Sequence, residues 1–172
     1  MNSREASKLS LRMKSEAIDL GLCQKWTEEW ADGTSKDEMV EKFIAGIDFC
    51  IEHNWPSPKV IKKEFGDVIH NHGVYVDENV MVSNAPVVIL NGECVANIAY
   101  DGMSTSEVYI RHRSEAKIAV KGLSRCFISL YDEGEVEVSC EEGCKAFIYR
   151  YGGKIRKLQG DVITREKNNE EK

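Results

Sequence analysis

The sequence predicts an α+β chain: a helical N-terminal segment followed by a β-solenoid of about 20 residues per coil, with two strands in each coil. Three observations predict it. Apolar residues recur at helical spacing as far as residue 66, and from about Val68 they alternate with polar ones. From Val88 onward the alternating pattern returns in phase every 20 residues, the mark of stacked coils.

The helical elements follow in order. In "LSLRMKSEAIDLGL", Leu9, Met13 and Ala17 share one stripe with Leu20 beside it, and "CQKWTEEW" sets Trp26 and Trp30 four apart as a second docking face. "TSKDEMVEKFIAGIDFCIEHNW" reads as one helix. Ser35 and Glu38 form a capping box at its start, and Met39, Phe43, Ile47 and Ile51 make its apolar stripe. Trp55 and Pro56 end it, because the residue before proline avoids the helical region. A last helix over "SPKVIKKEFG" has Ser57 as N-cap, Pro58 in its first turn and Gly66 as its stop.

The strand half is built from columns. Val88, Val108, Ile128 and Ile148 lie 20 apart, with Leu90, Ile110 and Leu130 beside them. Half a period later come Ile98, Ile118, Val138 and Leu158, flanked by the small column Ala96, Ala116 and Val136. Successive strand side chains face opposite ways, so the even positions are core and the more polar odd positions face outward. Between strands, "NGE", "DGM", "KGL", "DEG" and "EEG" supply the residues that tight bends require. An antiparallel β meander or sandwich is the alternative, since a strand plus a turn also repeats every ten residues. Equivalence at 20 rather than 10 favours coils. The predicted organisation is a helical cap or docking segment over 1–66, a solenoid over 67–163 and a disordered charged tail over 164–172.

The stretches "GIDFCIEHNWPSPKVIKKEFG", "HGVYVDENV", "VYIRHRSEAKIAVKG" and "LYDEGEVEV" resemble an uncharacterised family of Bacteroides-type gut bacteria and their phages and mobile elements. The resemblance spans most of the chain and carries no activity and no catalytic motif. It implies context only: an intracellular accessory or phage-related protein, structural in character.

Composition narrows the function classes. A formal charge of −6 over 172 residues gives no general attraction to phosphate backbones, so nucleic acid is not expected as a partner. Arg4, Lys8, Arg12, Lys14 and Glu16 interrupt the first segment, and no window has the length of apolar sequence a membrane span needs, so a cytoplasmic protein is expected. The six cysteines are expected to be reduced, with Cys94, Cys126 and Cys140 as small core fillers. Cys140 and Cys144 have a spacing compatible with a metal, but no second pair lies near them at zinc-finger spacing. No cofactor is expected, because phosphate-binding and dinucleotide glycine motifs are both missing.

Several residues remain as candidates for chemistry. His70 and His72 would point to one side of an extended segment, and with His53 they suggest a metal site; the plainer reading is a polar junction between helix and strand. Asp101 and Asp132 are candidate carboxylates for a glycan-binding or glycan-cleaving β-helix, yet they are 31 apart and out of phase with the coil. His112, between Arg111 and Arg113, aligns with Gly92 and Asp132, which suggests a corner and a salt bridge to Asp132. Tyr109, Phe127, Tyr131, Phe147, Tyr149 and Tyr151 fall at odd positions of the later coils. They are the predicted interaction face for a protein partner or a second copy, with a sugar as the other occupant. The sequence therefore predicts a non-enzymatic structural or protein-interaction module.

Overall fold

The computed structural model describes residues 3–31 and 33–167. It divides into two units, Met1–His72 and Gly73–Lys172. The first is helical. Helix α1 (Ser3–Asp19) buries the predicted stripe of Leu9, Met13 and Ala17. Helix α2 (Gln24–Glu29) ends before Trp30, which is buried and donates from Nε1 to Ser10 Oγ at 2.9 Å, whereas Trp26 is half-buried.

The long predicted helix is two helices, α3 (Lys36–Ala45) and α4 (Ile47–Glu52), separated at Gly46. Glycine is a poor helix residue, and here it ends the first helix, its N–H donating to the carbonyls of Ile44 and Lys42. A Cβ on Gly46 would stand 3.2 Å from Lys42 O and 3.8 Å from the Trp26 ring. The capping box is present: Ser35 Oγ accepts from Glu38 N at 3.2 Å, and Glu38 Oε2 accepts from Ser35 N at 2.7 Å. Helix α5 (Pro58–Phe65) is capped by Ser57 and stopped by Gly66 at φ +56°. The chain then turns into a 3₁₀ helix, Gly66–His72, which buries Ile69. The helical unit thus extends to His72, past the predicted boundary at 66.

The second unit is the predicted solenoid. Its strands are β1 (Val74–Val76), β2 (Asn79–Ser83), β3 (Val87–Asn91), β4 (Val95–Tyr100), β5 (Thr105–Ile110), β6 (Glu115–Val120), β7 (Arg125–Leu130), β8 (Glu135–Cys140), β9 (Lys145–Arg150), β10 (Lys154–Gln159) and β11 (Val162–Glu166). Odd-numbered strands form one sheet of six and even-numbered strands form another of five. All these pairings are parallel, which excludes the meander. The solenoid makes about four turns at the 20-residue spacing. Val88, Val108, Ile128 and Ile148 are in register across the odd sheet, as are Ile98, Ile118, Val138 and Leu158 across the even one. These columns meet between the sheets in a continuous apolar core, apart from Leu158, which lies in the last even strand and is exposed. Each large side chain so buried contributes roughly 1.5–3 kcal/mol.

Register changes at both ends. Val74 pairs with Ile89, an offset of 15, so in β1 it is the odd-numbered Tyr75 that packs on the core. Gly73 makes this entry possible: at φ +73° its carbonyl accepts from Ile89 N, and a Cβ there would lie 2.1 Å from Val87 O. In β10 the register slips between Ile155 and Lys157, leaving Arg156 as a bulge. The predicted tail boundary at 164 falls inside β11, whose register with β9 continues to Glu166. The rest of that predicted tail, 168–172, lies outside the described residues.

Corners repeat as well as strands. Cys94, Ser104, Ser114, Ser124, Gly134 and Cys144 recur every ten residues just before a strand begins. Ser114 Oγ donates to Gly92 O and accepts from Cys94 N, both at 3.2 Å, so one hydroxyl joins two coils. Ser104 Oγ donates to Ser124 Oγ at 3.1 Å, and the Cys144 thiol donates to Glu141 O. Larger side chains have no room here: a Cβ on Gly134 would already sit 3.0 Å from Ile110.

Candidate functional site

Most of the residues suited to chemistry hold the frame together. His70 and His72 lie in the 3₁₀ helix rather than in an extended segment, so strand alternation does not bring them to one side. His72 Nε2 lies 3.0 Å from Asp37 Oδ1, and the His53 ring packs on Phe49 with centroids 4.5 Å apart. Among the described residues no group of three His, Cys, Asp or Glu side chains is placed to hold a metal ion. Asp101 and Asp132 occupy different corners, one after an even strand and the other after an odd strand. Asp101 Oδ1 accepts from Asn84 Nδ2 at 2.6 Å, and Asp132 Oδ2 accepts from His112 N at 2.8 Å. No carboxylate pair for glycan cleavage is built from them.

His112 is indeed a corner residue, at φ +57°. Its expected salt bridge to Asp132 is instead a backbone bond: the His112 N–H points to the carboxylate, while the imidazole Nδ1 accepts from Gly92 N at 3.0 Å. Burial and the neighbouring Arg111 hold its pKa below the ordinary histidine value. Cys94, Cys126, Cys140 and Cys144 are buried, and burial pushes the Cys126 and Cys140 thiols up to about 12. Such thiols carry almost no thiolate near neutrality.

The six aromatic residues do not form one face. Tyr109, Phe127, Phe147 and Tyr149 project from the outer side of the odd sheet, each half-buried, and Phe127 stacks on Phe147 with centroids 5.0 Å apart. Ile163 of β11 continues the Phe127–Phe147 column. Tyr131 and Tyr151 lie at the corner that follows, stacked at 4.6 Å, and Tyr131 is buried.

A second surface lies on the opposite sheet, where the outward odd positions include the polar column of Asn97, Lys117 and Glu137. On the outer side of the even sheet, Ser83, Ala99, Ala119, Ser139 and Gln159 form one column, and Met81, Asn97, Lys117, Glu137 and Lys157 form the next. Small residues in the first column leave a trough of about 420 Å³ beside the longer side chains of the second. It crosses all the even strands. Beyond those longer side chains, Glu115 and Glu135 share the guanidinium of Arg156, which lines the adjoining hollow. The 20-residue reading places Asn97, Lys117 and Glu137 in one polar column, but it does not show the trough that the small residues beside them leave.

No family model, curated protein or solved structure matches the chain. The two outer sheet faces differ: one is aromatic and laddered, the other a trough with a floor of small residues and a wall of longer, mostly polar side chains. Among the described residues no helix is long and apolar enough to cross a membrane.

Proposed function

We propose that this protein is a non-enzymatic structural module whose odd sheet binds protein through its outer aromatic face, with a second copy of the chain as the first occupant. The observation that carries this reading is the stacked pair Phe127 and Phe147, half-exposed outside the core and extended by Tyr149 and Ile163. A ladder of flat rings supplies apolar area at little conformational cost, and the same patch on a copy is self-complementary about a twofold axis.

Two further features support the choice. Side chains that catalysis would call on are committed elsewhere: Asp132 and His112 to corner bonds, Asp101 to Asn84, and every cysteine except the exposed Cys23 to buried positions. The last even strand is also a poor site for end-to-end stacking, because β10 carries a bulge together with Lys154, Arg156 and Lys157. Association then falls to a face. The resemblance to the Bacteroides and phage family agrees with a structural or accessory role.

Light scattering on a size-exclusion column tests the reading. The natural chain is expected to run as a dimer or larger defined oligomer, and Phe127→Ser with Phe147→Ser as a monomer of unchanged circular dichroism. A natural chain that stays monomeric at high concentration would sink it.

A further inference from the structure

The trough on the even sheet has a chemistry of its own. Its wall presents, coil by coil, the amide of Asn97, the ammonium of Lys117, the carboxylate of Glu137 and the ammonium of Lys157, with the amide of Gln159 at the end of the floor. Lys117 and Lys157 are exposed and Glu137 is half-buried, so their polar ends are open to a ligand. Floor residues Ala99, Ala119 and Ser139 offer close approach without obstruction. These groups recur at the strand spacing of about 4.8 Å on four of the five strands crossed, a run of roughly 14 Å from Asn97 to Lys157, with Met81 continuing the wall on the fifth.

A ligand that fits must be extended, must repeat at nearly the coil spacing, and must carry hydrogen-bonding groups at each step. An extended peptide does not meet the second condition, because side chains on one of its faces recur at about 6.6–6.8 Å. A chain of sugars does, since each pyranose in an extended chain advances by about one coil. Charge narrows the class further. Lys117 and Lys157 lie two coils apart, roughly 9.6 Å, with Glu137 between them. Two cations at that separation match acids on alternate sugars. The carboxylate between them accepts hydrogen bonds from the hydroxyls of the intervening neutral sugar and repels an acid placed there.

We infer that the even-sheet trough binds an acidic glycan whose carboxylates fall on every second sugar, with Lys117 and Lys157 holding successive acids and Glu137 selecting the neutral sugar between them. This site is on the opposite sheet from the aromatic face and does not depend on it.

Calorimetric titration of the full chain with three defined oligosaccharides tests the inference: a hyaluronan octasaccharide with alternate acids, an oligogalacturonate with an acid on every sugar, and neutral cellohexaose. Hyaluronan is expected to bind tightest. Lys117→Gln and Lys157→Gln are each expected to weaken it by about three- to tenfold, the worth of one hydrogen-bonding group at an open site. Glu137→Gln should narrow the preference for hyaluronan over oligogalacturonate. The inference is overturned if hyaluronan does not bind, if both lysine variants bind it as the natural chain does, or if oligogalacturonate binds as tightly to the natural chain. Because all three side chains lie on the surface, unchanged circular dichroism separates lost binding from lost fold. Phe127→Ser with Phe147→Ser, which tests the aromatic face, should leave glycan binding unchanged.

Discussion

The ionisation of His112 bears directly on the frame. Its Nδ1 must be unprotonated to accept from Gly92 N, and that bond ties the corner of one coil to the corner before it. Protonation converts the acceptor into a donor facing another donor. Asp132 and Asp77 favour the charged ring, but burial and Arg111 outweigh them, so the folded pKa lies below the ordinary value of 6.5. The sign follows from linkage: below about pH 6.5 the unfolded chain binds a proton that the folded chain resists, so this contribution is intact at higher pH and is lost as the pH falls through that range. Asparagine tolerates the left-handed backbone at this position and offers a side-chain carbonyl that does not titrate. Urea unfolding at pH 7.5 and pH 5 should therefore give a smaller loss of stability for His112→Asn than for the natural chain. Equal losses would mean that the acid sensitivity belongs to other groups.

At the scale of elements, the terminal strand β10 differs from those before it. Strands β4, β6 and β8 repeat without interruption, whereas β10 inserts Arg156 and sends its guanidinium back to Glu115 and Glu135, which are in register on neighbouring strands. Like charges placed side by side in a sheet repel, so the bulge brings a cation to two carboxylates that the coil repeat forces together. Arg156→Gln should lower the thermal midpoint in low salt and lose less in 1 M salt, where the repulsion between the two carboxylates is screened. A deficit that is the same in both buffers would argue that the bulge geometry, and not the charge, is what matters. The helical elements show a different balance between sequence and structure. Ser35, Glu38, Ser57 and Pro58 were legible because a cap is a local pattern. The break at Gly46 was not, because the apolar stripe of Met39, Phe43, Ile47 and Ile51 runs across it at helical spacing.

Across the whole solenoid, legibility followed chemical uniformity. Core columns such as Val88, Val108, Ile128 and Ile148 occupy near-identical environments and so hold near-identical residues, which makes a 20-residue period visible. Outer columns escape that constraint: Asn97, Lys117, Glu137 and Lys157 share a position and polarity but not charge, and the trough they border could be seen only in three dimensions. The odd positions also misled where a column ran past its strand, as Tyr131 and Tyr151 do at the corner. The same architecture sets how the unit should open. In a stack, each coil is held by its immediate neighbours, so stability is the sum of nearest-neighbour terms and falls where one neighbour is missing. Strands β5 to β8 bury alternate residues almost completely, whereas β10 and β11 have no fully buried side chain and each sits at the edge of its sheet. Native-state hydrogen exchange should accordingly show amides of β10 and β11 exchanging through local fraying, with little dependence on denaturant, and those of β5 to β8 only through larger openings. Uniform protection from β5 to β11 would show that the last coil is held by contacts beyond those of the solenoid, and the aromatic face, which reaches β11 at Ile163, would be the first place to look for them.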